Sequence, residues 1–441
     1  MALSVAIVGA GPGGFYAAEA LAKADPGVQV DILEYLPTPY GLIRYGVAPD
    51  HEKTRRVART FERTANREQV AYYGNVRLGR DLSLSELREF YDAVVLATGA
   101  PLDRAPEIPG AAMPGAYGAA EFVDWYNGHP DWRDLRPRVT GPAAAIIGNG
   151  NVALDLARIL LKRPADLAAT DIAEHAASAL ERSGITEVSL IGRRGPVEAK
   201  WTNVELREMG QLHGCAATLD PAVLPEVVTG VADARAKRLA EKNLASLRGF
   251  AQSNAEGATK RLNFQFYARP VEILGDGWVT GLRLERTRLE QGRAVGTGEH
   301  FELPCSMVLH AIGYRAEPIP EVPFDGARGI VKNDQGRVAP GVYAVGWIKR
   351  GPSGVIGTNK PDGDLVAKQI AQDITASGKP GRPALEAALA ARCIRWIGFA
   401  DWKRIEAAEV AAAAGGAPRR KFVKVEDMLG LLAGPARQAS R

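Results

Sequence analysis

The chain has 441 residues, with 55 Lys and Arg against 51 Asp and Glu, and its net charge of +4 is too small to mark a nucleic-acid binder, though it allows local basic patches. With 46% hydrophobic and 24% charged residues, it is a globular chain long enough for two or three domains, each with its own core. Three cysteines, Cys215, Cys305 and Cys393, have no CxxC or metal-ligand spacing, which speaks against a disulfide framework, a zinc site, a protein-bound iron-sulfur cluster and a dithiol redox pair.

The first predicted elements lie in "SVAIVGAGPGGFYAAEALAK" (4–23), an apolar strand, a tight turn and an Ala-rich helix. Gly9, Gly11 and Gly14 have GxGxxG spacing, which suits a turn, a close backbone approach to a pyrophosphate and close helix–strand packing. "VQVDILE" (28–34) ends a second strand on Glu34, placed to accept hydrogen bonds from a ribose 2′-hydroxyl. No basic and apolar leader pattern precedes the first strand and no apolar run reaches bilayer length, so the expectation is a soluble, cytoplasmic protein.

Further on, "HEKTRRVARTFERTANRE" (51–68) spaces Lys53, Arg56, Arg59, Arg63 and Arg67 three and four residues apart, predicting one helix with a basic face. "YDAVVLATGA" (91–100) closes the first dinucleotide unit as an apolar strand. The plan then repeats in "AAAIIGNGNVALDLARILL" (143–161), with Gly148, Gly150 and Ala153 in GxGxxA spacing. Two such units imply two dinucleotides.

The strand that follows the second turn is "TEVSLIGRRGP" (186–196), so Arg193 and Arg194 stand where Glu34 stands in the first unit. A carboxylate there repels a 2′-phosphate, whereas guanidinium groups offer it bidentate charge-assisted bonds, so the second site is read as NADP(H)-selective. "DARAKRLAEKNLASLR" (233–248) carries a second basic cluster, Arg235, Lys237, Arg238 and Lys242. "SMVLHAIGYR" (306–315) closes the second unit, and "GVYAVGWIKRGPSGVIGTN" (341–359) with the helix pattern "DLVAKQIAQDIT" (364–375) returns the chain to the first. The fold class is therefore α/β with two Rossmann-like dinucleotide-binding domains, one (104–313) inserted in the other (1–103 and 314–441). "AAEVAAAAGGAPRRKF" (407–422) is expected to be a small-residue linker into a solvated basic tail.

The run "LPTPYGLIRYGVAPDH" (36–51), with "GNGNVALD", "GRRGP", "ELRE" (205–208) and "GWIKRGPSGVIGTN", resembles the adrenodoxin reductase type of ferredoxin-NADP reductase, including its bacterial members, over nearly the whole chain. The resemblance implies a glutathione-reductase-like fold with FAD in the first domain and NADP(H) in the inserted one. It implies hydride transfer to flavin N5, then single-electron steps to a ferredoxin-type iron-sulfur protein of acidic surface. Trp347 follows Gly346 where related flavoproteins usually carry an aspartate, a departure that separates this group from thioredoxin reductases.

Residue by residue, the resemblance assigns FAD contacts to Gly11, Glu34, Leu42, Val76, Trp347 and the Gly354–Val355–Ile356 backbone, with Gly354 also near the nicotinamide. It assigns the NADP pyrophosphate to Asn149, Gly150, Asn151 and Val152, the 2′-phosphate to Arg193 and Arg194, and the adenosine ribose side to Glu205. His51 and Glu208 are implied to lie near flavin and nicotinamide, orienting the nicotinamide or relaying a proton; no protein nucleophile or metal is needed. Arg207 and the Arg235–Lys242 cluster are implied to meet the iron-sulfur partner. Three other readings stay open: a dinucleotide-binding sensor or docking protein, a diaphorase-like reductase of another acceptor, and the flavin subunit of a larger complex such as the glutamate synthase small subunit. That subunit carries amino-terminal cluster cysteines, which are absent here.

Overall fold

The computed structural model describes residues 2–253 and 256–432. The chain divides into two compact units: Met1–Leu102 with Asn127–Pro130 and Tyr314–Arg441, and Asp103–Tyr126 with Asp131–Gly313. The tetrapeptide Asn127–Pro130, embedded in the sequence of the inserted unit, thus packs with the first.

The first unit is built on a six-stranded sheet ordered Arg337–Ala339, Val342–Ala344, Ala93–Leu96, Ser4–Val8, Gln29–Glu34 and Val70–Gly74. All neighbours run parallel except the first pair. Val5, Ile7, Val30, Ile32, Val94 and Val95 are fully buried, which is why these strands read as continuous apolar runs rather than alternating ones. The Pro12–Ala24 helix presents small residues to the sheet, and its Phe15 stacks on Phe61 with ring centroids 5.1 Å apart. Strand order reverses beside the central Ser4–Val8 strand, the place where doubly wound sheets open a crevice for ligands.

The second unit repeats the plan with the order Ala116–Gly118, Met307–His310, Ala143–Ile147, Glu187–Ile191, Lys260–Gln265 and Cys215–Leu219, all parallel. Against it packs a three-stranded antiparallel meander, Ala268–Gly275, Val279–Glu290 and Arg293–Pro304. Ala145, Ile147 and Ile191 of the parallel sheet share one core with Leu282 and Leu284 of the meander.

Two expectations need correction. The 51–68 segment is not one helix: it forms Glu52–Arg55 and Ala58–Ala65, and Arg67 falls beyond the second, although Lys53, Arg56, Arg59 and Arg63 are exposed. The second expectation fails only in part: 412–418 is a largely exposed, non-helical small-residue link, but residues 407–411 finish the Phe399–Ala411 helix, Glu409 is wholly buried, and Lys421 is 8% exposed. Buried partners, Arg44 for Glu409 and main-chain carbonyls for Lys421, take up the two charges that composition alone assigns to water.

Candidate functional site

In the first unit the glycine turn is sterically obligatory. A Cβ on Gly9 would lie 2.5 Å from the Ala97 carbonyl oxygen, and one on Gly14 would lie 2.0 Å from the Gly9 oxygen. A Cβ on Gly11 would meet nothing within 4 Å. Hydrogen alone fits at the first and third positions, and open space faces the second, at the N-terminus of a 13-residue helix whose first N–H groups have no intrahelical acceptor. That cradle fits a dinucleotide pyrophosphate.

Glu34 closes the cradle. Its carboxylate accepts from the Ala10 N–H at 2.9 Å and the Leu36 N–H at 3.3 Å, so it ties the glycine turn to the loop after its own strand. Burial outweighs these backbone bonds and pushes its pKa up from 4.5 to about 7. Val76 sits beside it, donating its N–H to the Glu34 carbonyl at 2.9 Å, and its side chain is core. Leu42 opens the Leu42–Tyr45 turn of helix and is 39% exposed, in a loop pressed on the glycine turn: a Cβ on Gly41 would lie 3.1 Å from Gly11 Cα. His51, half-buried, stands before the Glu52–Arg55 helix and donates its N–H to the Ala48 carbonyl.

The late loop of the same unit is held by Asp362, a residue the sequence reasoning missed. Its carboxylate accepts from the Gly346 N–H at 3.2 Å, from Lys349 at 2.9 Å and from Arg350. The Trp347 indole N–H donates to the Ser353 carbonyl at 3.2 Å, and its ring stacks on Tyr314. Gly354 and Val355 are exposed, and Ile356 begins a single 3₁₀ turn, so this loop offers backbone groups rather than side-chain chemistry.

The second unit's turn follows the same sterics. A Cβ on Gly148 would lie 2.4 Å from the Ala311 oxygen, whereas one on Gly150 would meet nothing within 4 Å. Gly150 caps the Asn151–Leu161 helix, and Val152 lies half-buried in its first turn. The Asn149 carbonyl accepts from the Lys200 N–H, while its side-chain oxygen is buried with no partner among the described residues. Asn151 is engaged locally, its side-chain oxygen accepting from the Thr202 N–H at 2.9 Å.

Arg193 is exposed and Arg194 half-buried at the end of the Glu187–Ile191 strand. Their carbonyls accept from the Thr287 hydroxyl at 2.8 Å and the Tyr267 N–H at 3.3 Å, so the meander fixes the backbone while the guanidinium groups have no carboxylate partner among the described residues. Glu205 accepts from the Thr202 hydroxyl at 2.8 Å in the first turn of the Asn203–Met209 helix. Glu208, on the same helix, lies 3.5 Å from the guanidinium of Arg158, which is 2% exposed and also held by Asp155 at 2.7 Å. That ion pair ties Glu208 to the helix of the phosphate cradle. His51 belongs to the first unit and Glu208 to the second.

Arg207 is exposed on the Asn203–Met209 helix, and Arg235, Lys237, Arg238 and Lys242 are exposed on Ala234–Gln252. None has a carboxylate partner among the described residues. Cations in the first turns of a helix oppose its dipole. That applies to Arg235 and Lys237 at the start of Ala234–Gln252, whereas Arg207, in the last turn of its own helix, is favourably placed.

Residues 3–197 match the pyridine nucleotide-disulphide oxidoreductase family. Over 97% of its length the chain is 44% identical to the mitochondrial NADPH:adrenodoxin oxidoreductase of Arabidopsis thaliana, covering 95% of that protein, and to that of Homo sapiens, covering 91%. It is 43% identical to the NADPH-ferredoxin reductase FprA of Mycobacterium tuberculosis, over 96% of this chain and 98% of that one. The solved structure of Mycobacterium tuberculosis FprA in complex with NADPH superposes with a TM-score of 0.94 at 40% identity, over 98% of this chain and 100% of that one.

Proposed function

The chain belongs to the family of NADPH:adrenodoxin and NADPH-ferredoxin reductases, and we propose on that premise that it passes electrons between NADPH and a ferredoxin-type iron-sulfur protein. FAD is its resident cofactor and NADP(H) its nucleotide substrate. The observation that carries this assignment is the contrast between two similar glycine cradles: a buried carboxylate closes one, and an arginine pair with no carboxylate partner among the described residues closes the other. A free ribose hydroxyl suits Glu34; a ribose phosphate suits Arg193 and Arg194.

FAD, when bound, accepts a hydride from NADPH and releases electrons singly, chemistry that side chains cannot supply. The chain's own work is binding and alignment. Gly9, Gly11 and Gly14 with the Pro12–Ala24 helix hold the flavin dinucleotide's pyrophosphate, Glu34 its ribose, and the backbones at Leu42, Val76, Trp347 and Gly354–Ile356 its remaining length. Asn149, Gly150, Asn151 and Val152 hold the NADP pyrophosphate, Glu205 the adenosine ribose side, and Gly354 also the nicotinamide. His51 and Glu208 orient the nicotinamide or relay a proton, with Arg158 keeping Glu208 in place. Arg207, Arg235, Lys237, Arg238 and Lys242 steer the acidic partner in a salt-sensitive way. Among the described residues no helix is long and apolar enough to cross a membrane, and a cytoplasmic place is part of the proposal.

Stopped-flow absorbance tests it: purified protein is mixed anaerobically with NADPH or NADH, then with a low-potential ferredoxin. The expected result is flavin bleaching selective for NADPH, then reoxidation by ferredoxin that slows as salt rises. Bleaching without ferredoxin reoxidation would remove the partner assignment, and no bleaching would remove the enzyme.

A further inference from the structure

The four-residue Leu42–Tyr45 helix is too short to hold itself in water, yet it adjoins the first glycine turn and leads to His51. What holds it comes from far along the chain. The Arg44 guanidinium, 5% exposed, makes a bidentate pair with the wholly buried Glu409 carboxylate at 2.5 and 3.0 Å, and lies 5.1 Å from the Trp402 ring centroid. Beyond the helix's last turn, side chains reach its orphan carbonyls. The Lys421 ammonium donates to the Arg44 carbonyl at 3.4 Å and the Asn127 carbonyl at 3.1 Å. Arg55 donates to the Arg44 carbonyl at 3.1 Å and the Val47 carbonyl at 2.6 Å; the Asn127 amide donates to the Tyr45 carbonyl at 2.7 Å. Glu409 in turn accepts from the Phe422 N–H at 2.9 Å, which binds the Phe399–Ala411 helix to the segment carrying Lys421.

Burying charged groups gains little stability over apolar packing, because desolvation offsets the attraction. Charge-assisted bonds do fix direction, and here they converge on main-chain oxygens of one short segment. We propose that residues 399–422 form a strap that positions the 41–51 segment against the flavin, with Glu409 and Lys421 as positioning residues that never touch the cofactor. This rests on the assignment of that segment to the FAD side. It ascribes to the chain's carboxyl-terminal region a role in flavin affinity and potential that is separate from nucleotide selection.

The test compares wild-type holoprotein with Lys421→Met, and with Lys421→Gln, which keeps N–H donors. Measured are the FAD dissociation constant from flavin fluorescence, the flavin midpoint potential, the NADP+ dissociation constant, and the thermal midpoint of FAD-stripped protein. Lys421→Met should weaken FAD binding roughly tenfold or more and shift the potential, while NADP+ binding stays within about twofold. Lys421→Gln should fall between it and wild type, and it carries the test if the Met variant is insoluble. Wild-type FAD affinity and potential alongside a lowered thermal midpoint would reduce the strap to a structural tie. A wild-type protein that binds no FAD would instead remove the flavin assignment beneath the proposal, and that is read before any variant.

Discussion

Replacing Arg193 and Arg194 together with alanine isolates the charge at the end of the Glu187–Ile191 strand. The backbone there is fixed by Thr287 and Tyr267 through the carbonyls, not the side chains, so both alanines leave the loop in place. No carboxylate is orphaned by the change, since neither guanidinium has an acidic partner among the described residues. A hydrogen bond to a charged group contributes about 1.5–3 kcal/mol, and the exposure of Arg193 and half-burial of Arg194 call for the lower end. Two such losses come to about 3 kcal/mol, roughly a hundredfold in kcat/KM for NADPH. NADH lacks the 2′-phosphate and should lose less than about threefold. The assay is steady-state reduction of an artificial acceptor with each nucleotide, and the pair of kcat/KM ratios is the readout. Equal losses for NADPH and NADH would refute the assignment, because a misfolded cradle affects both nucleotides alike.

Other expectations concern protons and charge. Glu34 has a folded-state pKa raised from 4.5 to about 7, so the stability it contributes is complete below pH about 4.5 and is lost as pH rises through 7. FAD-free protein should therefore lose about 3 kcal/mol of unfolding free energy across that window relative to Glu34→Gln, in urea titrations at stepped pH; parallel curves would contradict it. Reversing Arg235, Lys237 and Arg238 to glutamate should raise the KM for an acidic ferredoxin by roughly tenfold or more and flatten its salt dependence, leaving NADPH-driven reduction of a small acceptor intact. A retained salt dependence would move docking to another face.

Both cradles were legible because steric need writes itself locally: a Cβ at Gly9, Gly14 or Gly148 collides with a carbonyl, so glycine spacing records the backbone path. The arginine pair was legible because its position in a repeated unit could be compared with Glu34. The Ala268–Pro304 meander was passed over, although its second hairpin carries a turn signal, Gln291–Gly292, both with positive φ (50° and 76°) as a two-residue hairpin turn requires. Asp362 was hidden because it reads as one charge on a helix, and only folding brings it to the Gly346 N–H. Asn127 and Lys421 were hidden for a deeper reason. Each acts on a segment about 80 or more residues away in sequence, where neither periodicity nor composition carries a trace.

The place of the Val342–Ala344 strand sets a timetable for synthesis. It pairs with Ala93–Leu96, so the side of that strand facing it stays unpaired until about 245 more residues have been made. At about 5–20 residues per second, the nascent amino-terminal segment waits on the order of 12–50 s with an apolar β-edge open. The intervening residues can complete their own sheet meanwhile. Open edges template association with other chains, so the vulnerable species at the ribosome is the earliest-made part of the protein, and chaperone demand should fall sharply once residue 345 has emerged from the ribosome.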